Sequence, residues 1–234
     1  SADRNIMDAT LEAALRPPDE PSFYRRLAWI PSVRTVGDTL LASADHWRGE
    51  AEWAVAQDRP ALVVLGDSLA QGVGASAPAQ SYVGRLREHL GDTGPLPVLN
   101  LSRSGAQIAD VLDVQLPAFR DSGVVPHAVV CTVGSNDIRH TFHLDQVRSA
   151  FVTLIGELPG GTALATLPEK GSRVAASMNR TIRKLAPPAG LAVADVGLRL
   201  QTWRGRISGD GFHPNDAGHR VWFEAFAEAM SPGR

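Results

Sequence analysis

The sequence predicts an α/β protein: a three-layer α/β/α sandwich around a five-stranded parallel sheet, preceded by an N-terminal helical extension. Three observations predict it. From residue 59 onward, short apolar runs alternate with longer amphipathic segments, the order that a parallel sheet with crossover helices requires. The first of those runs, residues 61–65, is continuously apolar and ends at glycine, which suits a strand buried on both faces. Residues 1–58 instead carry apolar stripes at helical spacing, broken by proline.

In the extension, Ile6, Met7, Thr10, Leu11, Ala14 and Leu15 form one stripe that Pro17-Pro18 ends; Val36, Leu40, Ala44, Trp47 and Ala51 form a second. Trp29, Trp47 and Trp53 are expected to pack this extension on the main body, and a lid or pocket wall is the sharper reading of the same residues. The main domain, residues 59–234, continues with a helix near 81–90 and a strand near 96–101. An amphipathic segment with Ile108, Val111, Leu112 and Leu116 follows, then a strand over 128–133 and a helix over 144–158. A strand at 162–166, a helix at 173–185, a strand at 191–196 and a last helix at 215–230 complete the order. In open sheets of this kind, ligands gather at the carboxyl ends of the strands.

Composition excludes several classes. Of 234 residues, 44% are hydrophobic and 21% charged, enough apolar mass for a substantial core. Lys+Arg 23 against Asp+Glu 25 leaves a net charge of -2, so no nucleic-acid partner is expected. The single cysteine, Cys131, excludes an intramolecular disulfide and multi-cysteine metal sites, and its apolar surroundings suit a small buried hydrophobe. No run of about 18 apolar residues offers a membrane span. Asp3, Arg4, Asp8 and Glu12 stand where a signal peptide would be apolar, so a soluble, cytoplasmic chain is expected. The apolar faces of residues 1–58 leave a homo-oligomer open.

The chemistry-bearing residues lie after predicted strands. Gly66-Asp67-Ser68-Leu69 follows the first and presents a hydroxyl, which needs an adjacent base to become a nucleophile. Asp210-Gly211-Phe212-His213 follows the fifth, with a carboxylate three residues before an imidazole that it can orient toward the serine. Acyl transfer also needs donors for a developing oxyanion, worth ~3 kcal/mol each. Gly105, after the second strand, allows close approach of a backbone amide, and Asn136, after the third, carries a side-chain amide. His140 and His143 lack a third ligand, so no metal is expected. Gly72-Val73-Gly74 fails the dinucleotide pattern at Ala77, so no cofactor is expected either. Arg103, Arg139, Arg204 and Arg206 flank these blocks and could contact an anionic substrate; with only two lysines in the chain, solvated arginine is the plainer reading.

Together the four blocks resemble the GDSL or SGNH hydrolase family, over residues 60–230, through Ser68, Gly105, Asn136 and His213 in the family's order. The resemblance implies a flavodoxin-like sheet in which Ser68 attacks an ester carbonyl, His213 takes its proton and Asp210 holds His213. It implies an oxyanion hole from the Ser68 amide, the Gly105 amide and the Asn136 side chain, with Asp67 and Asp137 bracing their loops. Arg103 departs from the family's commoner small or apolar residue. The Gly-x-Ser-x-Gly elbow of the α/β-hydrolases is absent. The expected function is serine-dependent hydrolysis of a carboxylic ester or thioester of a small metabolite. O-acyl transfer to a sugar or other alcohol is the alternative, and a non-catalytic binding module the remote one.

Overall fold

In the computed structural model the described residues are 9–16, 26, 29–57, 59–91, 94, 96–140 and 143–231. Ile6, Met7, the Pro17-Pro18 stop and the His140 and Phe142 side chains lie outside them. Strand β1, Ala61–Gly66, is buried along its whole length, as its unbroken apolar run requires. Around it stand β2 (Val98–Asn100), β3 (Pro126–Thr132), β4 (Ala163–Ala165) and β5 (Ala192–Ala194), in the order β2-β1-β3-β4-β5. Every pairing is parallel, with Val63 opposite Leu99, Gly66 opposite Thr132, Cys131 opposite Leu164 and Leu164 opposite Val193.

The period-two alternation of β1 divides the core between two layers. Ala61, Val63 and Leu65 point into one, with Phe151 and Leu154 from a helix at Leu144–Glu157 and Met178 and Ile182 from a helix at Arg173–Leu185. Leu62 and Val64 point into the other, with Tyr82 and Leu86 from a helix at Tyr82–Leu90 and Trp222 and Phe226 from the last helix, Asp216–Ala229. Ser81 and Asn215 cap the last two through their side chains.

The extension contributes a short α-helix, Ala9–Ala14, and a long one, Pro31–Ala56. The long helix runs against β2, an edge strand, and covers it. Its Ala51 and Ala54 join the first layer, Trp47 joins the second, and Val33, Val36 and Leu40 close around Val73. Trp47 is buried and Trp53 half-buried beneath the Arg87 guanidinium, 6.0 Å from the ring centroid. Trp29 departs from expectation: it is 78% exposed, because it precedes the packed helix at a turn.

Three strands are shorter than the apolar runs that announce them. Leu96, Leu101, Leu191 and Val196 are buried beyond the paired residues, since the core continues past the end of the ladder. The amphipathic segment at 108–121 contains a π turn at Val111–Gln115. Pro117 has no N–H to bond back into the helix, and the Leu116 N–H reaches the Val111 carbonyl five residues back. The turn aims buried Gln115 at the end of β1, where its Oε1 accepts from the Gly66 N–H at 2.7 Å and its Nε2 donates to the Gly66 carbonyl at 2.9 Å. Gln115 thus gives the Gly66 N–H the acceptor that a paired strand would, while the Arg103 N–H also donates to the Gly66 carbonyl at 3.1 Å. Gln115→Leu keeps the volume but strands the Gly66 N–H, and is expected to lower the unfolding free energy by about 2 kcal/mol in urea titration; an unchanged midpoint would contradict the clamp.

Candidate active site

Ser68 stands two residues past β1, on a helical turn that the rest of the protein holds from behind. Val73 N–H donates to the Ser68 carbonyl at 3.0 Å, and Trp47 Nε1 and Asn100 Nδ2 donate to the carbonyls of Gln71 and Ala70, each at 2.9 Å. Gln71 Oε1 accepts from the Ser104 N–H and hydroxyl, which ties the turn to the loop after β2. The extension therefore buttresses the serine turn, and among the described residues none of it lines the cleft at Ser68.

His213 arrives from the loop before the last helix. Its Nε2 lies 2.9 Å from Ser68 Oγ and its Nδ1 2.6 Å from Asp210 Oδ2. The other carboxylate oxygen of Asp210 accepts from the Phe212 and His213 N–H groups and the Ser208 hydroxyl. Burial alone would raise the Asp210 carboxyl, but the bond and charge of His213, then the Phe212 N–H and Ser208 hydroxyl, hold it well below the usual carboxylate range. The two loops touch at Gly74, where a Cβ would lie 2.3 Å from the Pro214 carbonyl oxygen and φ is +93°.

Asn136 lies on a six-residue helix, Ser135–His140, that the sequence pattern leaves as a loop. Its Nδ2 donates one hydrogen to the Ala106 carbonyl at 2.9 Å, and the amide retains a second. Asp137 accepts from the Ile108 N–H, and Asp67 from the Leu69 N–H, so both aspartates brace their loops. Gly105 adopts φ +83° one residue before Ala106, beside Asn136 but outside the cleft wall. Of the four flanking arginines, Arg139 alone lines the cleft; Arg103 and Arg204 are exposed elsewhere, and Arg206 bonds the Thr202 carbonyl. Trp203 turns inward between outward neighbours, which is why Arg204 is close in sequence but not in the site.

The cleft holds about 420 Å³ and has Ser68, Asn136 and His213 in its wall. Its apolar walls come from Leu167, Pro168, Trp203, Ile207, Pro214 and Trp222, residues that motif reasoning missed. The tryptophans on either side of the Asp-x-x-His block were the available signal. Among the described residues no His, Cys, Asp and Glu cluster could hold a metal ion, and no helix is long and apolar enough to cross a membrane.

The sequence profile of the GDSL-like lipase/acylhydrolase family matches residues 64–221, a span that includes the whole Ser68, His213 and Asp210 relay. The chain belongs to that family. Among solved structures, TesA is similar at 26% identity and a TM-score of 0.60, over 74% of this chain and 98% of its own. An acetyl xylan esterase from Geobacillus stearothermophilus shares the fold at 19% identity and TM-score 0.56, over 74% and 94%. The esterase EstA from Pseudoalteromonas sp., inhibited by monoethylphosphonate, shares it at 18% and 0.58, over 74% and 97%. A search of curated proteins found no match. This family member keeps Cys131 inert, since burial first and then Asp67 push its thiol up.

Two buried groups beneath the site titrate in opposite senses. His219, fully buried, donates from Nε2 to the Val73 carbonyl at 3.1 Å and accepts the Tyr82 N–H at Nδ1; burial lowers it to about 4. Burial raises Asp67 to about 7, helped by Asp137 and opposed by the Leu69 N–H. Between the ordinary histidine value and pH 4 the unfolded chain binds the His219 proton that the folded one refuses, so this contribution to stability falls as pH falls. Asp67 does the reverse, because the folded state binds its proton first as pH drops below 7. His219→Gln is therefore expected to gain stability relative to wild type on going from pH 7 to 4.5, and Asp67→Asn to lose it, by a few kcal/mol in urea titration. Parallel pH profiles for all three proteins would contradict the assignment.

Proposed function

We propose that this enzyme hydrolyses a carboxylic ester or thioester of a small molecule through an acyl-enzyme at Ser68. The observation that carries the reading is the continuous relay from Ser68 Oγ through His213 to Asp210, with Ser68 and His213 opening on a cleft of about 420 Å³. That volume falls in the range of small-molecule pockets, and its mainly apolar wall suits a short to medium acyl chain.

Ser68 Oγ attacks the carbonyl carbon while its proton passes to His213 Nε2. Asp210 accepts the Nδ1 hydrogen, fixes the tautomer and stabilises the imidazolium that forms. The Ser68 amide and the second Asn136 N–H, both from the cleft wall, receive the oxyanion. Collapse breaks the bond to the leaving alcohol or thiol, which takes the proton from His213. Water then gives a proton to His213 as it adds to the acyl carbon; collapse breaks the bond to Ser68 Oγ, which takes that proton back from His213 as the acid leaves.

A series of p-nitrophenyl esters from acetate to decanoate tests the reading. The expected result is p-nitrophenol release with a maximum at short to medium chains. Ser68→Ala should remove about 10⁴-fold or more of kcat, and Asp210→Asn about 10⁴-fold. Release that accelerates with an added sugar and yields its ester would make the enzyme an acyltransferase, and release unaffected by Ser68→Ala would refute the nucleophile.

A further inference from the structure

The mouth of the cleft carries a cation that the acyl-transfer relay does not use. Arg139, at the end of the helix that bears Asn136, is exposed and lays its guanidinium over the Phe212 ring, with Cζ 4.2 Å from the centroid. Phe212 is itself 41% exposed and meets the His213 ring edge-on, centroids 4.7 Å apart. Arg139, Phe212 and His213 thus form a stack that joins the loop after β3 to the Asp-x-x-His loop, one aromatic ring away from the base. Cation–π contact on a ring packed against His213 fixes the guanidinium without satisfying its five N–H donors.

No carboxylate lies within ion-pair distance of Arg139 among the described residues. The acids of the adjoining loops face elsewhere, with Asp137 on the Ile108 N–H, Asp67 buried on the Leu69 N–H and Asp210 on His213.

We propose that Arg139 is a specificity determinant that selects esters or thioesters bearing a carboxylate or phosphate, held at the cleft mouth while the scissile carbonyl reaches Ser68. The inference rests on the acyl-enzyme reading above and adds the charge of the substrate. A planar guanidinium presents paired donors to either anion, and fixing it in advance spares ordering cost on binding. The charge belongs to the acyl chain or to the leaving alcohol, and the test separates the two.

Two matched pairs of probes supply the arms. The p-nitrophenyl monoester of adipate against p-nitrophenyl hexanoate places the charge on the acyl side; a carboxy-substituted p-nitrophenyl butyrate against p-nitrophenyl butyrate places it on the leaving side. Wild-type enzyme is expected to favour the charged member of one pair by roughly 10- to 100-fold in kcat/KM, less at high salt. Arg139→Gln should collapse that ratio and Arg139→Lys should keep part of it, with melting temperatures confirming that both variants fold. Equal kcat/KM within both pairs, or a ratio that survives Arg139→Gln, overturns the proposal while leaving Ser68-dependent turnover of the neutral esters intact. Loss of Ser68 dependence in the neutral esters instead overturns the acyl-enzyme reading, and this inference with it.

Discussion

Everything at the site depends on how the chain leaves β1. Gly66 sits opposite Thr132 with φ +142°, and a Cβ there would lie 2.1 Å from the Thr132 carbonyl oxygen. Only glycine permits that contact. The next N–H, of Asp67, then donates to the same carbonyl at 3.2 Å, and Gln115 holds Gly66 from the other side. Ser68 is in this way lifted off the carboxyl edge of the sheet, at the height where the loops after β3 and β5 converge. The hydrogen bond to His213 spans 145 positions of sequence, and Val73, Trp47 and Asn100 hold the serine turn by bonds that do not involve the histidine.

The second constraint is electrostatic. A neutral base next to Ser68 requires that one carboxylate stay ionised and that other protons stay out of the relay. Asp210 receives four hydrogen bonds, which outweigh its desolvation, so it remains an anion beside the imidazole. His219, six residues on, shows the contrast: it shares the residue type but is sealed between Val73 and Tyr82 and refuses a proton until about pH 4. Of the two histidines of this short segment, one lines the cleft beside Ser68 and the other serves as a neutral cross-brace to the serine turn.

Sequence reasoning found what depends on short-range pattern. The five strands and their order along the chain were legible because each is a compact apolar run, and the relay residues because each block follows a strand. Strand lengths were not, since Leu191 is as buried as paired residues without being paired. Nor were the π turn, which depends on where Pro117 meets Gln115, and the short helix under Asn136. The cleft wall was the hardest part. Trp203 and Trp222 are 19 positions apart and meet with ring centroids at 6.2 Å, a proximity that no local period encodes. The tryptophans of the extension drew attention by composition and turned out to brace the fold or, at Trp29, to face solvent.

The central claim is that Ser68 carries the acyl group, and trapping that intermediate tests it most directly. Enzyme mixed with an activated ester and quenched in acid within the first turnover is analysed by intact mass and peptide mapping. The account predicts one acyl group per chain, on the peptide and residue of Ser68, and none in Ser68→Ala. An acyl group mapped to another residue, or equal labelling of Ser68→Ala, would contradict it.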